Sequence, residues 1–218
     1  MPRRTIVPAA ALAAASLFCV ALLAARGYAW ADYRGLLWNL VLAWIPFVLG
    51  VALLWAYRRG LPLLHLLALA AAWLLFLPNA PYVLTDFVHL GPDHRLFDTI
   101  LIGSFALTSL SLGFASLLLV QLVTTRAAGA AAGWCVALAS LFLSSVGIYL
   151  GRVQRLNSWD VVHRPRLVAS LLSAGLADPL GHHYLIGFVL AVCGLLTLAY
   201  VGLWGFALFA ASAARDQG

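Results

Sequence analysis

The chain contains no lysine and no glutamate. Its charge is carried by 13 Arg and 7 Asp, only 9% of 218 residues. Soluble domains carry roughly a quarter charged residues. This shortage excludes a water-soluble enzyme and a disordered chain. Cysteine is scarce too: Cys19, Cys135 and Cys193 all lie in apolar runs without CxxC spacing. That excludes a disulfide scaffold and reads as buried structural thiols. What is present in excess is apolar: 64% of the residues, with a mean hydropathy of +1.00. An integral membrane protein remains.

A helix crosses the hydrocarbon core with about 20 apolar residues. Six runs meet or approach that length, at 5–25, 36–57, 61–77, 97–123, 128–150 and 184–211. Ala and Leu dominate them and the alternation of a barrel strand is absent, which argues against strands. The expectation is an all-α integral membrane bundle of about six transmembrane helices, a single domain over 1–218 with polar loops at 78–96 and 151–183. The first run exceeds a signal-peptide core and no small-x-small site closes it, so it reads as a retained helix. Pro46 falls inside the second run and predicts a kink. Gly129, Gly133, Ala137, Ser140, Ser144, Gly147 and Gly151 recur at steps of three and four along the fifth. That stripe reads as a close-packing face, with a substrate groove as the alternative. Ser104, Thr108 and Ser111 share a face of the fourth and should bond to a neighbour or to their own backbone. Tyr28, Trp30, Tyr33 and Trp38 cluster as an interfacial belt would.

Polar chemistry is concentrated on one side. Six of the seven Asp and five of the six His fall between helices on the face opposite the termini. The arginine count is six on the termini side against seven on the other, which decides no orientation. The termini-side arginines have almost no acidic partners, which favours cytoplasmic termini and an extracytoplasmic polar cap. Single and paired Arg between apolar runs suit anionic headgroups and not nucleic acid.

Two motifs make up the cap. In Phe76–Leu90, FLPNAPYVLTDFVHL, Pro78 and Pro81 break the third helix, and Asn79 can bond the backbone groups freed there. Asp86 and His89 are three apart and share a helical face. Asp98 follows, at the positive start of the next helix. In Gly147–Asp160, GIYLGRVQRLNSWD, Arg152 and Arg155 are also three apart; two guanidinium forks on one face can receive a carboxylate or phosphate. Asn157, Ser158 and Asp160 read as turn and cap chemistry. A further amphipathic stretch, 165–177, is too short to span and should lie in the interface.

Together these two motifs, with Phe97-Asp98 between them, resemble the bacterial membrane family called domain of unknown function 1361. The resemblance covers nearly the whole chain and implies a multi-pass protein of the cell membrane. It brings no activity, substrate or cofactor. By motif position it marks Asn79, Pro81, Tyr82, Asp86, His89, Asp98, Gly151, Arg152, Arg155, Asn157, Ser158, Trp159 and Asp160.

Four functions compete. A structural or accessory membrane component leads, with Asp residues pairing to Arg152 and Arg155 and locking two loops together. A membrane-embedded enzyme acting on a phosphate- or lipid-linked substrate is next. There Asp86, His89, Asp98 and Asp160 are the catalytic candidates, and Asn79, Tyr82, Arg152, Arg155, Asn157, Ser158 and Trp159 bind. Asp86, His89, Asp160 and His163 are the only metal candidates, without a recognised metal motif around them. A transporter is suggested by the broken third helix, yet ionisable residues are rare at the helix centres. Expected partners are the bilayer and an anionic or phosphate-bearing lipid, without nucleic acid. Cofactor and protein partner are open. All four readings suppose that the two motifs meet over one end of the bundle.

Overall fold

The structure is a computed structural model. It describes residues 3–25, 30–90, 95–156, 163–178, 181 and 183–216. The described chain is helical, in the order α1 Arg3–Ala25, α2 Trp30–Arg58, α3 Leu63–Phe76, α4 Asn79–Tyr82, a 3-10 helix Val83–His89, α5 Arg95–Ala128, α6 Ala130–Arg152, α7 Pro165–Ala177 and α8 His183–Asp216. Among the described residues, six stretches are long and apolar enough to cross a membrane, at 7–25, 35–58, 63–88, 96–128, 130–152 and 183–210. The all-α membrane architecture expected from composition is therefore present. The chain divides into two compact units, Met1–Ala137 and Leu138–Gly218.

Helix ends in the first unit follow local chemistry. Gly60, at φ 66°, ends α2. Its N–H bonds the Tyr57 carbonyl at 3.0 Å, and the Leu61 N–H reaches the Ala56 carbonyl at 3.1 Å. This paired arrangement satisfies two orphan carbonyls and needs a left-handed residue, which glycine supplies without a Cβ clash. Pro46 lies inside α2 and leaves the Leu42 carbonyl without its usual donor, yet the helix runs on to Arg58.

The third crossing departs most from the sequence expectation. Residues 78–96 read as a loop, but the backbone is helical from Asn79 through His89. Two prolines did not prevent this, because Pro78 is the N-cap of α4 and Pro81 falls in its first turn. Neither position needs an N–H donor. The extra helix has a task. The 14 residues of α3 reach only about 21 Å at 1.5 Å per residue, short of the roughly 30 Å core. The 3-10 helix adds about 2.0 Å per residue. Such a broken crossing is tolerated in a membrane where protein covers it, and α4 packs against both α2 and α5.

The core of this unit joins Cys19 and Leu23 of α1, Leu36, Leu40 and Ala43 of α2, Ala80 and Val83 of the broken segment, and Leu101, Ile102 and Phe105 of α5. Lipid tails are as apolar as leucine, so contact area alone gives little preference for protein over lipid. Close approach and polar ties decide. The Trp44 Nε1–H donates to Ser16 Oγ at 3.1 Å, and the Trp73 Nε1–H to Ser116 Oγ at 3.1 Å. Cys19 Sγ and Thr108 Oγ1 are 3.3 Å apart. The Ser/Thr face of α5 thus does both things expected of it: Thr108 reaches a neighbour, while Ser104 and Ser111 bond the Ile100 and Leu107 carbonyls at 2.7 Å.

In the second unit, Tyr149, Leu150 and Val189 form a cluster with Val146, Leu156, Val168, Leu185 and Phe188 around it. The stretch at 165–177 is the helix the sequence pattern expected. Val168 packs into the cluster, while Arg166, Ser170 and Ser173 are exposed. Along α6, Gly133 and Ala137 of the first unit and Ser140 and Ser144 of the second are buried. A Cβ added at Gly133 would collide with the Thr125 side chain, so α6 packs closely on the end of α5 at that position.

Candidate functional site: two buried carboxyls beside α2

The break after α3 frees backbone acceptors, and the local sequence supplies donors. The Asn79 side-chain amide donates to the Phe76 carbonyl at 2.9 Å, as expected for an asparagine placed there. The Thr85 hydroxyl donates to the Tyr82 carbonyl at 2.7 Å and steadies the start of the 3-10 helix. Tyr82 itself is half-buried.

Asp86 sits within that 3-10 helix and is only 7% exposed. The Asn39 amide of α2 donates to its Oδ2 at 2.9 Å. Asp98 sits in the first turn of α5 and is 1% exposed. The Tyr33 hydroxyl of α2 donates to its Oδ2 at 2.9 Å. The positive end of α5 also favours a carboxyl there. Helix α2 therefore holds two carboxyls from two different segments, and Val83, Leu101 and Ile102 are buried in the core of the same unit. Burying a carboxyl costs free energy unless hydrogen bonds replace the lost water, and these neutral donors supply part of that replacement.

Sequence reasoning named both carboxyls but missed their partners. Tyr33 was assigned to an interfacial belt, whereas it is buried and donates inward. Asn39 was passed over, although a single amide inside an apolar crossing run is itself a signal. Such a side chain normally bonds across helices.

The second motif begins where α6 ends at Arg152. Arg155 lies beyond the helix in left-handed backbone, φ 56°. The Leu156 N–H returns to the Leu150 carbonyl at 3.0 Å. The expectation that Arg152 and Arg155 share one helical face is thereby corrected: the chain turns between them. A left-handed conformation costs a residue with a Cβ about 1–2 kcal/mol. Arg152 is half-buried and Arg155 is exposed.

Asn157, Ser158, Trp159 and Asp160 lie outside the described residues, as does the side chain of His89. His163 is exposed. Among the described residues, no three His, Cys, Asp or Glu side chains gather as a metal site would require.

No curated protein and no solved structure matches the chain. A family model described as "Protein of unknown function (DUF1361)" matches residues 38–199, which include Asn39, the broken third crossing, Asp86, Asp98 and the arginine turn. With most of its length inside that match, the chain belongs to this family of unknown function, and its six described stretches able to cross a bilayer make it a multi-pass membrane protein.

Proposed function

We propose that the protein is a structural or accessory component of a bacterial inner membrane, with cytoplasmic termini and an extracytoplasmic polar cap. One observation carries this reading: Asp86 and Asp98, the two described carboxyls with the best claim to chemistry, are each engaged in a bond to α2. A carboxyl that joins two segments in a buried setting contributes to the fold. In this reading the break after α3 presents Asn79 and Tyr82 to a partner.

A second reading has one observation in its favour. Strained backbone in a residue other than glycine clusters at functional sites, and Arg155 is in that state. Arg152 and Arg155 would then hold a phosphate- or lipid-linked substrate at the outer headgroup layer. The sequence candidates for the base are Asp86 and Asp160, and for the acid His89.

Asp86→Asn separates the two. It keeps an oxygen for the Asn39 amide but cannot take a proton at neutral pH. The accessory reading predicts normal membrane abundance and full complementation of a deletion phenotype. Asp86→Ala should lower abundance severalfold, as a loss of about 1–2 kcal/mol does in cells. Normal abundance of Asp86→Asn with complete loss of complementation would contradict the accessory role and favour the enzyme.

A further inference from the structure

Helices α2 and α5 of the first unit both carry an arginine in their last turn, Arg58 and Arg126. Two contacts set the register of these helices. Tyr33 bonds Asp98 near the start of each, and a Cβ added at Gly50 would lie 3.2 Å from the Ser116 carbonyl oxygen. Between the two contacts α2 advances 17 residues and α5 advances 18. The helices therefore run parallel and in step. Arg58 lies eight residues beyond Gly50, and Arg126 ten beyond Ser116, each along unbroken helix. At 1.5 Å per residue these advances are about 12 Å and about 15 Å. Both arginines thus leave their helices at one depth, and Arg59 directly follows Arg58. All three are exposed. Within the first unit, 33–85 and 99–137 contain no acid, so these charges have no acidic neighbour along their own segments.

Depth follows from the spans. The crossing stretches 35–58 and 96–128 end here, and 63–88 begins here. The guanidinium groups therefore stand where hydrocarbon gives way to headgroups. The Arg59 guanidinium carbon lies 5.2 Å from the centroid of the Trp55 ring, and Trp55 is 55% exposed. Tryptophan settles at the membrane interface, and its ring face attracts a cation. Arginine forks match phosphate oxygens in pairs. A neutral headgroup pairs its phosphate with its own cation, so unbalanced guanidinium charge favours a lipid of net negative charge.

We infer that this end of the first unit is a seat for an anionic phospholipid, its phosphate received by Arg58, Arg59 and Arg126 and the top of an acyl chain lying along Trp55. The seat uses none of the residues on which the accessory reading depends.

Native mass spectrometry of the full chain, released from nanodiscs of equal phosphatidylglycerol and phosphatidylcholine, tests it. The chain should retain phosphatidylglycerol preferentially. Arg58→Gln, Arg59→Gln and Arg126→Gln should each lower that preference about fivefold, the loss expected of one arginine at an anionic surface. Arg166→Gln removes one exposed charge from the second unit and should leave the preference unchanged. Equal retention of the two lipids would overturn the proposal. So would a fivefold loss in Arg166→Gln, which would show attraction by total charge alone. Displacement of the lipid by inorganic phosphate would also overturn it, by showing a soluble phosphate site. If the substituted chains do not accumulate, hydrogen exchange of the unaltered chain decides. Slower exchange over residues 58–66 in phosphatidylglycerol than in phosphatidylcholine supports the seat, and identical exchange overturns it.

Discussion

Asp98→Ala should lower the stability of the folded chain by about 2–3 kcal/mol, through loss of a buried polar partner and of a favourable helix-end charge. The substitution leaves the buried Tyr33 hydroxyl without the acceptor it reaches at 2.9 Å. An orphaned buried donor costs about 1–3 kcal/mol, more than the bond itself contributes. Interhelical bonds in membranes average only about 0.6 kcal/mol, because the separated helices find other partners. The two magnitudes make a graded series. Asp98→Ala should be worst, Asp98→Asn mild because an acceptor oxygen remains, and Tyr33→Phe intermediate. Unfolding in mixed micelles, titrated with denaturing detergent, measures all three. Equal stability of Asp98→Ala and the unaltered chain would mean that the carboxyl does not hold α5 to α2.

The second large effect concerns space. A Cβ added at Gly113 of α5 would lie 2.7 Å from the Ala80 Cβ of α4. Real Cβ atoms do not approach so closely, and Ala80 has no flexible end to swing away. Gly113→Ala must therefore push α4 off α5, at a cost of about 1–3 kcal/mol for an overpacked core. Because α4 is the first turn after the break, its displacement should reach Asp86 through the attached 3-10 helix. A paired readout distinguishes this from simple loss of stability. In Gly113→Ala, a water-soluble thiol reagent should reach a cysteine placed at Val83 faster than in the parent, where Val83 is fully buried. Ala80→Gly in the same chain should restore both stability and protection.

The contrast between what the sequence disclosed and what it hid has a physical basis. The membrane crossings were legible because long apolar runs are a one-dimensional signal. Helix α7 was legible for a similar reason, since its polar and apolar positions alternate at helical spacing. The break at Pro78 and Pro81 was legible too, but not the helix that resumes at once. Proline is read as a helix breaker, and its tolerance within a first turn depends on where that turn starts. The partners of Asp86 and Asp98 left no trace of comparable strength. Asn39 lies 47 residues from Asp86, and Tyr33 lies 65 residues from Asp98. No local pattern records a bond over such separations. The left-handed Arg155 was equally hidden, because arginine is not a residue that announces this conformation.

The same bonds explain why the first unit needs few polar residues. Helices in lipid gain no preference for one another from apolar area, so a few specific ties select the arrangement. Trp44 to Ser16 fixes α2 against α1, and Trp73 to Ser116 fixes α3 against α5. Asn39 to Asp86 fixes α2 against the 3-10 helix and so sets where the broken crossing ends. Among these, only the last involves a carboxyl in irregular backbone, which makes it the tie on which the accessory reading depends.

A double-mutant cycle on Asn39 and Asp86 measures that tie directly. Asn39→Ala, Asp86→Ala and the double variant would be compared with the parent by unfolding in mixed micelles. A direct bond predicts a coupling of about 0.6–1.7 kcal/mol, the range found for hydrogen bonds between membrane helices. Strictly additive losses would contradict it and leave Asp86 free for a role other than joining the 3-10 helix to α2.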